Sequence, residues 1–194
     1  MIATLEIAEK LYTVEEWLAL EKDSDVRHEY YFGKLIPMAG EAKRANKMAN
    51  NILVKLRDPL LEKGFEIYDH DVKTEVLSGG IYRYPDLIVA PVVDDEDDYI
   101  VKLPVLMVEV SSQNSGHRDR VKKRREYRDV ASIWYYLVID QDEMLVELHV
   151  KREDGRWETQ YFTEPEDELS LERFGLKLKL SDIYARVKLD LKSQ

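Results

Sequence analysis

Apolar positions in this chain recur first at helical and then at strand spacing. Val14, Trp17 and Leu18 share one side of a helix that follows Thr13. Thr13 and Glu16 form a capping box, the hydroxyl meeting one free backbone donor and the carboxylate reaching back to another. Asp23-Ser24-Asp25 ends the helix, and 29–38 reads as a hairpin turned at Gly33-Lys34. Ala45, Met48, Ala49, Ile52, Leu56 and Leu60 then fall three and four apart, which predicts a long helix over 41–63 with one stripe laid on a sheet. Pro59 disturbs its last turns and Gly64 ends it.

Strand patterns dominate the remainder. Segments 65–68 and 72–77 read as strands, and Ser78-Gly79-Gly80 turns the chain into Tyr84-Pro85-Asp86-Leu87-Ile88-Val89-Ala90. Pro85 cannot donate to a ladder, so it marks a strand start or an edge. Leu87 and Val89 share one face; Asp86, Ile88 and Ala90 share the other. In 105–111, Val105 and Met107 lie on one side and Leu106, Val108 and Val110 on the other. A strand apolar on both faces is central and covered from both sides. Segment 134–140 is a further apolar strand, 144–150 alternates, and Asp154-Gly155 signals a hairpin into 157–162. Leucine alternates with lysine over 176–180 as in a half-exposed edge strand, before a short capped helix at 181–187. The pattern predicts one α/β domain over 1–194: a mixed central sheet flanked by helices, a β-rich C-terminal extension, an arm at 1–10 and a frayed tail at 188–194.

Two carboxylates break the apolar strands. Asp86 enters one, and Glu109 lies inside the next on the side of Met107 and Ser111. An ionised carboxylate there is costly unless a cation offsets its lost hydration. If the strands pair, both groups face one cleft, and a hard divalent ion such as magnesium suits them. The helix that follows places Arg120, Lys123, Tyr127 and Val130 on one stripe, whose apolar members point it inward and carry Lys123 toward the carboxylates.

These pieces in order resemble the PD-(D/E)XK nuclease superfamily: Pro85-Asp86, Glu109-Val110-Ser111-Ser112, then Asp119-Arg120 with Lys123 and Tyr127. More narrowly the chain resembles the Uma-two family of restriction-endonuclease-like proteins over residues 11–150, including His28-Glu29-Tyr30-Tyr31-Phe32-Gly33. In that family the lysine comes from the helix after the glutamate, as Lys123 would here, with Ser111 at the usual lysine position. The resemblance implies a restriction-endonuclease-like core and metal-dependent cleavage of DNA, with Asp86, Glu109 and Lys123 catalytic. It implies magnesium or manganese held by Asp86 and Glu109, with Glu29 completing the shell, and Arg120 and Tyr127 supporting Lys123 or touching phosphate. A surface ion pair of Glu29 with Arg27 or Lys34 is the competing reading, as is a non-catalytic module that binds nucleic acid or protein. The chain departs from the family at Phe32 and Tyr135, where acidic residues are expected, and at Ala45, where a histidine is expected.

Composition narrows the picture. There is no cysteine among 194 residues, which removes disulfides, thiolate nucleophiles and cysteine zinc sites and fits a cytoplasmic setting. No secretory signal or membrane span is readable. The net charge of −10 argues against broad nonspecific binding to nucleic acid. Yet residues 118–128 hold seven basic side chains against Asp119 and Glu126, a local +5, so the rest carries −15. That helix is either a patch for phosphates or a solvated face with internal ion pairs. The acidic run over 94–98 lacks the ligand spacing of a calcium loop and reads as a solvated connection. His28 reads as a surface residue and His117 as a loop histidine beside the site. Cutting both strands of a duplex often uses a symmetric pair, so a homodimer is expected.

Overall fold

A computed structural model describes residues 10–93, 97–111 and 117–189, with backbone alone at 117–119. In chain order the elements are α1 (Val14–Asp23), β1 (His28–Tyr31), β2 (Lys34–Pro37), α2 (Lys43–Leu61), β3 (Phe65–Asp69), β4 (Lys73–Leu77), β5 (Ile81–Arg83) and β6 (Leu87–Pro91). They continue with β7 (Ile100–Val101), β8 (Leu106–Ser111), α3 (His117–Asp129), β9 (Tyr135–Asp140), β10 (Val146–Lys151), β11 (Trp157–Phe162), β12 (Glu168–Leu171), β13 (Leu176–Lys179) and α4 (Leu180–Ile183).

The central sheet has the order β11-β10-β9-β8-β6-β3. Its strands pair antiparallel except β8 with β9, which run parallel because α3 carries the chain back between them. On one face, Met48, Ala49, Ile52, Leu56 and Leu60 of α2 pack on Leu87, Val89, Leu106, Val108, Leu137 and Ile139. On the other, Tyr127 and Val130 of α3 pack with Ile133 on Met107, Tyr136 and Val138. Strand β8 is thus covered on both sides, as its doubly apolar pattern requires.

A second sheet, β2-β1-β5-β4-β7, is packed by α1 through Trp17, Tyr30, Tyr82 and Tyr84. The Thr13–Glu16 capping box of α1 is present in both directions. The β1–β2 turn is centred on Phe32 and Gly33, at φ +45° and +85°, one residue earlier than the sequence pattern placed it. Strands β12 and β13 form a separate ribbon whose Leu169, Leu171 and Leu178 join the α2 face of the core. The expected terminal helix shrinks to the single turn of α4, whose N-cap Lys179 makes no side-chain cap. The calls on 1–9, 94–96, 112–116 and 190–194, and on the His117 side chain, lie outside the described residues.

Candidate active site

Pairing of β6 with β8 builds the site. The register sets Leu87 against Val108, so Asp86, one residue before, stands across from Glu109. The Asp86 amide donates to the Val108 carbonyl at 3.1 Å, and the Val110 amide donates to Asp86 Oδ2 at 2.6 Å. The third element is α3. Because Tyr127 and Val130 are buried against the sheet, its helical phase turns Lys123 inward. Lys123 Nζ donates to Glu109 Oε1 and Oε2 at 3.2 and 3.4 Å, and Tyr127 OH donates to Oε1 at 2.8 Å.

Behind Lys123 runs a string of buried ions. Lys123 Nζ lies 3.1 Å from Glu29 Oε1, and the other Glu29 oxygen takes Arg83 Nη1 at 2.5 Å. Arg83 is fully buried and donates through Nη2 and Nε to Glu126 Oε2 at 2.8 and 3.2 Å. Lys122 closes the far end, 3.9 Å from Glu126 Oε1 and 3.2 Å from the centre of the Tyr31 ring. Glu29 sits in β1 and Arg83 in β5, so the string joins the second sheet to α3.

The carboxylates divide by surroundings. Burial, then the neighbouring Glu109 charge, pushes Asp86 up to about 7, against the opposing Val110 amide and Lys123. Burial also raises Glu109, outweighing Lys123 and the Tyr127 hydroxyl. Burial acts on Glu29 in the same direction, but Lys123 and Arg83 together hold it below the ordinary carboxylate range.

A cavity of about 660 Å³ opens over this cluster, and its lining includes Glu41, His70, Asp86, Glu109, Arg120 and Lys123. Arg120 lies 4.0 Å from Asp140. Glu29 and Tyr127 do not line the cavity; they hold Lys123 and Glu109 from behind. His28 pairs instead with the buried Glu21 at 3.0 Å and does not line the cavity. At the positions where the family pattern is broken, Phe32 sits in the hairpin turn, Ala45 is buried on the cavity wall, and the Tyr135 hydroxyl accepts the Arg173 amide at 2.8 Å.

Four participants were not singled out from the sequence. Arg83 and Glu126 are far apart in the chain, and only the proximity of Arg83 to Pro85-Asp86 could have drawn notice. Glu41 and His70 reach Asp86 through topology: β3 pairs with β6 at Asp69↔Leu87, which brings the next residue, His70, beside Asp86. The His70 amide donates to the Asp86 carbonyl at 3.1 Å. One ligand atom each from Glu41, His70 and Asp86 lies within 4.8 Å of the others.

This donor set suits a divalent cation. Ligands of an ion held at about 2.1 Å stand roughly 3 Å apart when adjacent and about 4.2 Å apart when opposite, so side-chain rotations would be needed to draw the three onto one centre. Asp86 and Glu109, both raised and both on the cavity lining, are the arrangement such a charge relieves.

The sheet order, the parallel β8–β9 pair around α3 and the Asp86–Glu109–Lys123 cluster define a restriction-endonuclease-like nuclease fold. A solved structure titled as a "putative nuclease belonging to DUF820" from Anabaena variabilis matches with TM-score 0.72, covering 89% of this chain and 97% of that one at 18% identity. The family model described as "Putative restriction endonuclease", Uma2, matches residues 14–181, and the chain belongs to that family. Two Synechocystis sp. proteins are similar along most of their length. "Uncharacterized protein sll1609" is 29% identical over 151 residues, 76% of this chain and 85% of its own. "Uncharacterized protein slr1290" is 26% identical over 171 residues, 88% and 90% respectively. Among the described residues, no helix is long and apolar enough to cross a membrane.

Proposed function

We propose that this protein hydrolyses DNA phosphodiester bonds with magnesium or manganese held at Asp86 and Glu109. The observation that carries the reading is the placement of these two carboxylates on adjacent strands with Lys123 Nζ 3.2 Å from Glu109, under one open cavity. When bound, such an ion polarises the scissile phosphate and lowers the pKa of a water. Asp86 and Glu109 supply its anionic oxygens. Lys123 orients the attacking water or stabilises negative charge developing on the phosphate. Tyr127 fixes one Glu109 oxygen, and Arg120, on the cavity wall, meets phosphate.

Glu29 receives a different role from the one its sequence context implied. Its two oxygens face Lys123 and Arg83, so it positions Lys123 instead of completing the metal shell. DNA is the partner, approached through the cavity and the basic α3, and a symmetric pair of chains would serve cleavage of both strands.

The test is incubation of the purified chain with supercoiled DNA and magnesium or manganese, beside calorimetric titration of each ion. Asp86→Ala and Glu109→Ala should lose both cutting and ion binding; Lys123→Ala should lose cutting and keep ion binding. A wild-type chain that binds DNA but never cuts it with either ion, with variants that bind DNA equally well, assigns the fold to a non-catalytic binding role.

A further inference from the structure

We propose that His70, with Glu41 and Asp86, forms a mixed nitrogen–oxygen ligand set that makes this site prefer first-row transition ions, manganese and cobalt, over magnesium. The inference rests on the metal-site reading above and specifies it further. Its ground is the approach of one ligand atom from each of these residues to within 4.8 Å of the others, on the wall of the cavity that also holds Glu109 and Lys123.

The imidazole is held in place by three neighbours. Pairing of β3 with β6 brings His70 alongside Asp86, and its amide donates to the Asp86 carbonyl at 3.1 Å. Its backbone turns into the left-handed region, at φ +42°, which histidine adopts less readily than glycine or asparagine. Around the ring, Asn46 Nδ2 lies 3.1 Å from Nε2 and Glu41 Oε2 lies 3.7 Å from Nδ1. Asn46 Nδ2 also donates to Glu41 Oε2 at 3.0 Å, so one amide steadies both candidate ligands. In the metal-free ring Nε2 accepts from that amide and Nδ1 carries the proton. A cation taken by Nδ1 moves the proton to Nε2, where the Asn46 side-chain oxygen, once the amide turns over, accepts it and orients the ring.

The donor chemistry decides the preference. Magnesium takes oxygen ligands in near-ideal octahedral geometry and gives up its water reluctantly. An imidazole nitrogen gives it little. Transition ions accept imidazole readily, and at a given nitrogen-containing site affinity rises from manganese to cobalt. Two carboxylates alone would leave the ions poorly separated; adding His70 separates them.

The experiment titrates Mg²⁺, Mn²⁺ and Co²⁺ separately into the full chain, stripped of metal, by isothermal calorimetry. Wild type should bind manganese at least about tenfold more tightly than magnesium, and cobalt more tightly still. His70→Gly keeps the positive φ without strain and removes the ring. It should weaken manganese and cobalt by about tenfold or more, leave magnesium nearly unchanged, and so bring the three affinities together. His70→Asn also tolerates the backbone and returns an oxygen donor, so it should shift the ratio toward magnesium. Circular dichroism spectra and melting temperatures of the variants check that each is folded. A wild-type preference for magnesium, or a manganese-to-magnesium ratio that His70→Gly leaves unchanged, overturns the proposal. In that second case, loss of all ion binding in Asp86→Ala would still uphold the metal site itself. Absence of binding by any ion to the wild type would overturn both.

Discussion

Replacing Asp86 by asparagine should stabilise the metal-free protein at alkaline pH, and the gain should fade as the pH falls. Native Asp86 is pushed from 3.8 to about 7 by burial and by Glu109. Between those values the native state keeps a proton that the unfolded chain has released, so stability drops as pH rises. A rise of about three units corresponds to about 4 kcal/mol of lost stability above pH 7, and about 3 kcal/mol of that accrues above pH 5.

Asparagine copies the protonated acid. Its Oδ1 can still accept the Val110 amide, which now bonds Asp86 Oδ2 at 2.6 Å, while the amide nitrogen brings no charge beside Glu109. In chelator, at pH 8, the variant should melt roughly 5–15 °C above the wild type. At pH 5 most of that gap should vanish. Excess manganese should reverse the order at pH 8, because it stabilises only the chain that binds it. A gap between variant and wild type that stays flat from pH 5 to pH 8 would refute the reasoning: Asp86 would then carry its charge in the native state without cost.

Other substitutions probe the ions behind the site and the turn beside them. Arg83→Met strands Glu29 and Glu126 without their shared buried cation and should cost about 3–5 kcal/mol in urea unfolding, a loss under about 1 kcal/mol showing that the pair is not desolvated. Glu29→Gln should lower the turnover of DNA cleavage roughly 10–100-fold by loosening Lys123, with calorimetric affinity for manganese unchanged; a parallel loss of affinity would return Glu29 to the metal shell. Gly33→Ala adds a Cβ at φ +85°, 3.0 Å from Leu11 Cβ and 3.2 Å from the Tyr12 carbonyl oxygen. It should cost about 1–3 kcal/mol by thermal melting, and a neutral result would mean the turn relaxes.

What could be read from the chain depended on whether a signal was local. The α1 capping box, the α2 stripe and the doubly apolar β8 follow from spacing within a few turns or strands, and each is present. The inward phase of Lys123 was also local, because Tyr127 and Val130 on the same stripe reveal which side is buried. Short strands such as β7 carry too few residues to show a period, and their existence depends on a partner: Ile100 and Val101 pair with Lys73 and Thr74. His70 and Glu41 were illegible for a similar reason. Nothing near them in sequence announces Asp86; the β3–β6 register and the start of α2 bring them there. Glu29 was read as completing the metal shell, and its buried partner Arg83, 54 positions on, was not legible beside it.

The buried ions also explain why the cavity mouth is charged as it is. Glu109, Glu29 and Glu126 alternate with Lys123, Arg83 and Lys122, so formal charges along the string cancel. Such a string is a poor source of net stability, since well-packed apolar side chains of similar volume commonly do as well or better. Its alternation does fix geometry: Lys123 cannot leave Glu109 without also leaving Glu29 to Arg83 alone. At the open end the balance fails. Asp86 and the exposed Glu41 add two negative charges beside the cavity. Burial and then the Glu109 charge push Asp86 up to about 7, so a proton on that carboxyl relieves part of the excess. One divalent cation would relieve all of it, and would do so at the point toward which the string already holds Lys123.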